Sequence, residues 1–212
     1  MNIEIREKCY SCYRPKCSCI CDHVQQIETE TEFVILMHPK EFKKTKNNTG
    51  HFTNLSLKNC TIFIDVDFSK HKKINSILNE PNNNCFILYP STDAINLNEN
   101  SIQNKNKKNV IFIIDSTWAC SKKILRLSKN LALLPHLSFT HSKLSKYQIK
   151  QQPSEVCLST IESTLCVLEL LNEHKIESIA KDELDLFLTP FEKMVEYQVA
   201  CSKLLNGVRY KV

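Results

Sequence analysis

Four short apolar runs recur through the first half of the chain: FVILM at 33–37, TIFIDV at 61–66, CFILY at 85–89 and VIFII at 110–114. Each is near-continuous rather than alternating. Strands buried on both faces read this way, as in a parallel sheet covered by helices. The segments between them are polar, and 72–78 and 119–131 have helical spacing, while the Asn- and Lys-rich stretch 96–109 reads as a surface loop. After residue 155 the pattern turns helical: Ser159-Thr-Ile-Glu162 is a capping-box sequence followed by apolar residues to Leu171, and 191–205 forms a second helix with Pro190 near its start. The expectation is an α/β fold with a mostly parallel sheet, finishing in helices.

Three of the runs stop at polar groups: the first at His38, the third at Tyr89-Pro90-Ser91 and the fourth at Asp115. In open α/β sheets ligands bind at the carboxyl ends of the strands, so these groups would share one rim. The competing reading of Asp115 is that it only N-caps the helix beginning near Trp118, the one tryptophan of the chain. Along the same rim, His38-Pro39-Lys40-Glu41 and Asn48-Thr49-Gly50 follow the first run; Asn-Thr-Gly reads as a turn, with Gly50 supplying a positive φ.

Only two glycines occur in 212 residues, so neither GxGxxG nor GxxxxGK[ST] can be written and the usual nucleotide-cradling loops are excluded. No apolar run approaches bilayer length, and the start MNIEIREKCYSC lacks the apolar region of a signal peptide, which makes a cytoplasmic protein the expectation. In that setting eleven cysteines do not imply a disulfide framework. Five of them fall in residues 9–21, and Cys9-x2-Cys12-x6-Cys19-x-Cys21 offers four thiolates for Zn²⁺, with Cys17 a competing ligand. Such a zinc would be structural, because four thiolates leave no open position. Charge is uneven: residues 1–154 carry 22 Lys/Arg against 13 Asp/Glu, residues 155–212 carry 6 against 10. A basic field of this kind suits a polyanion such as RNA.

Taken in order, CYSCYRPKCSCIC, HPKE with NNTG, LYPS, DSTW and QPSEVCLSTIES resemble the DTW-domain family of tRNA-uridine aminocarboxypropyltransferases, from about Cys9 to Ser163. DSTW stands where the family has Asp-x-Thr-Trp. The resemblance implies a SPOUT-like, knotted fold: a small zinc-binding segment at 1–24 and a catalytic domain at 25–212. It implies zinc ligands Cys9, Cys12, Cys19 and Cys21, with Cys17 extra. It implies S-adenosylmethionine as donor, tRNA as partner, and transfer of the 3-amino-3-carboxypropyl group to uridine N3. Asp115, Thr117 and Trp118 become the catalytic candidates. His38, Pro39, Glu41, Asn48, Thr49, Gly50, Tyr89, Pro90, Ser91, Leu158, Ser159, Thr160 and Glu162 become the donor-site candidates. Two positions depart from the family: His51 and Lys150 stand where arginines are expected, and a lysine keeps charge but loses the bidentate fork.

Asp115 is the candidate base for the weakly acidic N3, and Trp118 either packs on a base, on the adenine or on the pocket wall, or only anchors the helix that starts there. The amides at the start of the helix after Ser159 suit the donor's carboxylate. Lys43, Lys44, Lys46, Lys122, Lys123 and Lys150 are the expected tRNA contacts. The rival functions are a non-catalytic zinc-containing RNA-binding protein and a SPOUT methyltransferase. No stable protein partner is evident.

Overall fold

The computed structural model describes residues 7–43, 47–103, 106–142, 145–146 and 157–204. In chain order the elements are β1 (Glu32–Met37), α1 (Pro39–Lys43), α2 (Thr49–Ser56), β2 (Cys60–Ile64), α3 (Lys72–Asn79), β3 (Asn83–Leu88), β4 (Ile95–Asn96), β5 (Lys108–Asp115), α4 (Trp118–Leu127), α5 (Lys129–Ala132), β6 (His136–Ser138), α6 (Thr160–Glu173), α7 (Lys181–Leu186) and α8 (Thr189–Leu204). The strands form one six-stranded sheet in the order β2-β1-β5-β3-β6-β4. All its pairings are parallel.

The sequence runs are continuous because both faces of the central strands are covered. Side chains alternate across a strand. Phe33, Ile111, Ile113 and Phe86 point into one core with α6, α8 and the cysteine-rich segment, which contributes Cys12 and Ile20. Val34, Leu36, Val110, Phe112 and Ile87 point into a second core with Ile74 of α3, Ile124 of α4 and Leu131 of α5. Full burial of each such side chain contributes about 1.5–3 kcal/mol, so the β1–β5–β3 centre anchors everything placed at its ends.

Several expectations need correction. The second run stops at Ile64 rather than 66, and Ile64 is exposed at the sheet edge. The single helix expected over 119–131 is two, α4 and α5, divided at Ser128; its hydroxyl leaves the helical pattern to accept from the Phe68 N–H at 2.9 Å. The loop expected over 96–109 gives its ends to β4 and β5. The Asn-Thr-Gly turn is instead the start of α2: Asn48 is the N-cap, its Oδ1 accepting from the His51 N–H at 2.6 Å. Asn is equally at home in a turn and at an N-cap, and here the following residues continue as helix. Among the described residues no helix is long and apolar enough to cross a membrane.

Candidate functional site at the carboxyl rim

Parallel register brings the strand ends together. Met37, the last residue of β1, pairs with Asp115, the last of β5, and the His38 N–H donates to the Asp115 carbonyl at 3.1 Å. Asp115 does not N-cap α4: that position belongs to Thr117, which is exposed. The Asp115 side chain is buried, 7% exposed, and its Oδ1 accepts from Thr160 Oγ1 at 2.7 Å. On its other side lies α2. A Cβ on Gly50 would come within 2.6 Å of Asp115 Oδ2 and 2.7 Å of its Cγ. The demand for glycine is therefore close approach of a carboxylate within a helix, and not a positive φ, since Gly50 is helical.

A cavity of about 310 Å³ opens beside this junction. Tyr89 and Pro90 after β3, Trp118 at the start of α4, Phe139 and His141 after β6, and Leu158 and Thr160 at the start of α6 line it. Tyr89 sits edge-on to Trp118 with ring centroids 6.1 Å apart, and edge-on to His136 at 5.8 Å. Trp118 is 47% exposed, so its ring faces the opening rather than filling a core. Leu88, Ile113 and Leu137 form an apolar floor, and Ser116, Ser121 and Ser163 add hydroxyls. The volume lies at the low end of the range for small-molecule sites, about 300–1,000 Å³.

The remaining rim candidates do not line this cavity. Glu162, 5% exposed, is saturated: it accepts from Ser159 N (2.8 Å), Ser159 Oγ (2.6 Å), Ser145 Oγ (2.9 Å) and Lys146 N (2.7 Å). The capping box thus forms and also ties down residues 145–146. His38 is buried, its Nδ1 accepting from the Lys40 N–H at 3.1 Å. Asn48 Nδ2 donates to the Glu41 carbonyl at 3.0 Å, and Thr49 is buried in the same packing. Pro39 and Glu41 lie in the short α1. Ser91 is exposed and bonds His136 Nδ1 at 3.0 Å. Phe139, His141 and the β6 floor carried no sequence signal, because β6 is only three residues long and has no apolar run.

In the N-terminal segment the Sγ atoms of Cys9, Cys12, Cys19 and Cys21 all lie within 4.8 Å of one another. Cys9 and Cys21 are 3.6 Å apart, Cys12 and Cys19 3.7 Å. A tetrahedral ion with bonds of about 2.3 Å to sulfur needs S···S of about 3.8 Å, so the donor set fits a metal ion. Cys17 is exposed and turned toward the Tyr197 hydroxyl, 4.0 Å away. Backbone N–H groups of Cys12 and Ser11 hold the Cys9 thiol down to about 6, while burial pushes Cys21 up to about 12. Arg14, 1% exposed, braces the loop through Nε to the Ser18 carbonyl at 2.6 Å and lies over the Tyr197 ring at 6.0 Å. His51 connects this corner to α2: its Nε2 bonds the Ser11 carbonyl at 3.0 Å, and burial holds its pKa below the ordinary value.

Lys43, Lys122 and Lys123 are exposed; Lys44, Lys46 and Lys150 lie outside the described residues. Arg126 and Lys129 extend the exposed basic face of α4 and α5.

The DTW domain family model matches residues 6–199. A Mus musculus protein named tRNA-uridine aminocarboxypropyltransferase 2 is 26% identical over 199 residues, covering 92% of this chain and 65% of its own length. Proteins of the same name from Drosophila melanogaster and Macaca fascicularis are 29% and 25% identical, covering 92% of this chain and 76% and 64% of their own lengths. The chain thus spans under two thirds of the mouse and macaque relatives. No solved structure matches it.

Proposed function

The chain belongs to the DTW-domain family, and from that premise we propose that it transfers the 3-amino-3-carboxypropyl group of S-adenosylmethionine to N3 of a uridine in tRNA, releasing 5′-methylthioadenosine. The observation that carries this reading is the rim cavity, in which an aromatic wall and Thr160, bonded to the buried Asp115, face one space. We read the parallel sheet as SPOUT-like, with the rim loops forming its knotted donor site. The walls suit an amphiphilic donor: rings for adenine, hydroxyls and the first turn of α6 for the amino-acid end.

The chemistry is one of positioning. The donor's sulfonium activates three carbons, and the pocket must present the methylene of the amino-acid arm instead of the methyl. Tyr89 and Trp118 hold flat rings, and stacking a base on an aromatic residue contributes about 1–3 kcal/mol. Asp115 is the proposed base for the N3 proton, and exposed Thr117 sets the turn into α4 that presents Trp118. Zn²⁺ on Cys9, Cys12, Cys19 and Cys21 would be structural, fixing the segment that His51 and Arg14 dock. The basic face of α4 and α5 would lie along tRNA phosphates.

Incubating the protein with S-adenosylmethionine and bulk tRNA tests the reading through the small-molecule product. Methylthioadenosine supports it. S-adenosylhomocysteine would mean a methyltransferase, and tRNA binding without either product a non-catalytic RNA-binding protein.

A further inference from the structure

Thr160 stands between Asp115 and the cavity. It lines the cavity, whereas Asp115 does not, and its hydroxyl donates to Asp115 Oδ1 at 2.7 Å. A threonine hydroxyl has one proton and two acceptor lone pairs. With the proton committed to Asp115, Thr160 offers a cavity ligand only an acceptor. Its position is set independently, since Thr160 opens α6, whose cap is built by Ser159 and Glu162. The carboxylate is equally fixed, boxed between Thr160 and the backbone of Gly50.

We propose that Thr160 is the catalytic group that receives the uridine N3 proton and relays it to Asp115. This deepens, and rests on, the reaction proposed above. In the step, the N3 electron pair forms a bond to the donor's γ-methylene carbon. The carbon–sulfur bond breaks, and its electron pair stays on sulfur as neutral methylthioadenosine. The N3 proton passes to Thr160 Oγ1 while the hydroxyl proton passes to Asp115 Oδ1. The sulfonium charge and the carboxylate charge are cancelled together. The same polarity selects the base: uridine presents N–H at N3 and matches an acceptor, whereas cytidine presents a lone pair there and does not.

The test is single-turnover methylthioadenosine formation with bulk tRNA. It uses wild type, Thr160→Ser, Thr160→Val, Thr160→Ala, Asp115→Asn and the double variant Thr160→Val/Asp115→Asn, with donor binding and a thermal melt for each. Thr160→Ser retains the hydroxyl and should recover most of the rate that Thr160→Val loses. Thr160→Val and Asp115→Asn should each slow the step by about 10²–10⁴-fold, the range for a general base, with donor binding near wild type. The double variant should be no slower than the slower single one, as for residues acting as a unit. Thr160→Ala repeats the loss of hydroxyl should Thr160→Val fail to fold. Losses that multiply in the double variant, or full rate in a folded variant lacking the hydroxyl, overturn the relay alone. A folded wild type that forms no methylthioadenosine overturns the reaction and the relay together.

Discussion

The cysteine corner and the carboxyl rim both meet α2, through His51 and Gly50 respectively, but are assembled by different physics. The corner draws its four sulfurs from thirteen consecutive positions, 9–21, so a short loop suffices to gather a donor set that could hold one metal ion. The rim draws Gly50, Asp115 and Thr160 from three distant stretches, and only the register of β1 against β5 and the docking of α2 and α6 bring them into contact. A local site of this kind carries fold stability, because metal binding and folding are one equilibrium. A non-local site carries chemistry, because rigid elements hold its groups where a loop could not. Damage to the first should unfold; damage to the second should leave a folded, slow protein.

The largest expected effect is therefore at the corner. Cys12→Ser removes a buried ligand, and should release zinc and lower the melting temperature by about 10 °C or more, at about 2–4 °C per kcal/mol for a chain this long. Cys17→Ser should keep both zinc and melting temperature. Elemental analysis beside a melt reads both, and zinc lost with Cys17 but retained without Cys12 would reverse the assignment.

Next comes the rim's tightest contact. Gly50→Ala places a methyl against the Asp115 carboxylate, and should cost about 1–3 kcal/mol of stability by overpacking while slowing transfer more than that loss of fold explains. Paired melts and single-turnover rates distinguish this from a purely structural glycine, for which folded protein would retain its rate.

The contrast also explains what could be read from the sequence. The runs of β1, β3 and β5 were legible because burial on both faces leaves them continuous, whereas the equally apolar run of β2 lies at the sheet edge with Ile64 exposed, so the run alone did not reveal its position. The cysteine pairs were legible because their spacing is local; the spacing left Cys17 open, the family resemblance set it aside, and its side chain is turned toward Tyr197. Gly50 was legible as a demand but not as a reason: a turn and an N-cap share the Asn-Thr-Gly signal, and the carboxylate that forbids a side chain is 65 residues away, at Asp115. The β6 wall was not legible, because a three-residue strand takes its identity from its neighbours. Glu162 was legible as a cap, yet its bonds to residues 145–146 are tertiary.

Smaller effects should map the surface around the rim. Trp118→Ala should weaken tRNA or donor binding by about 1–3 kcal/mol, the value of one stacked base, with an unchanged melt because the ring is half exposed. Titrations of each ligand would show which one it stacks on. Charge removal at Lys122, Lys123, Arg126 and Lys129 should reduce the salt dependence of tRNA affinity by about 0.7–0.9 in log–log slope for each phosphate that is no longer neutralised. An unchanged slope would place the RNA on another face.

Transfer of an aminocarboxypropyl group at the rim onto uridine N3 is the proposal on which the rest depends. Its most direct test supplies the zinc-loaded protein and tRNA with S-adenosylmethionine labelled in the carboxyl carbon or, separately, in the methyl group, followed by digestion of the tRNA to nucleosides. The carboxyl label should enter tRNA in a uridine substituted at N3, and the methyl label should stay with methylthioadenosine. Methyl label in the tRNA, or carboxyl label on any other atom, would contradict it.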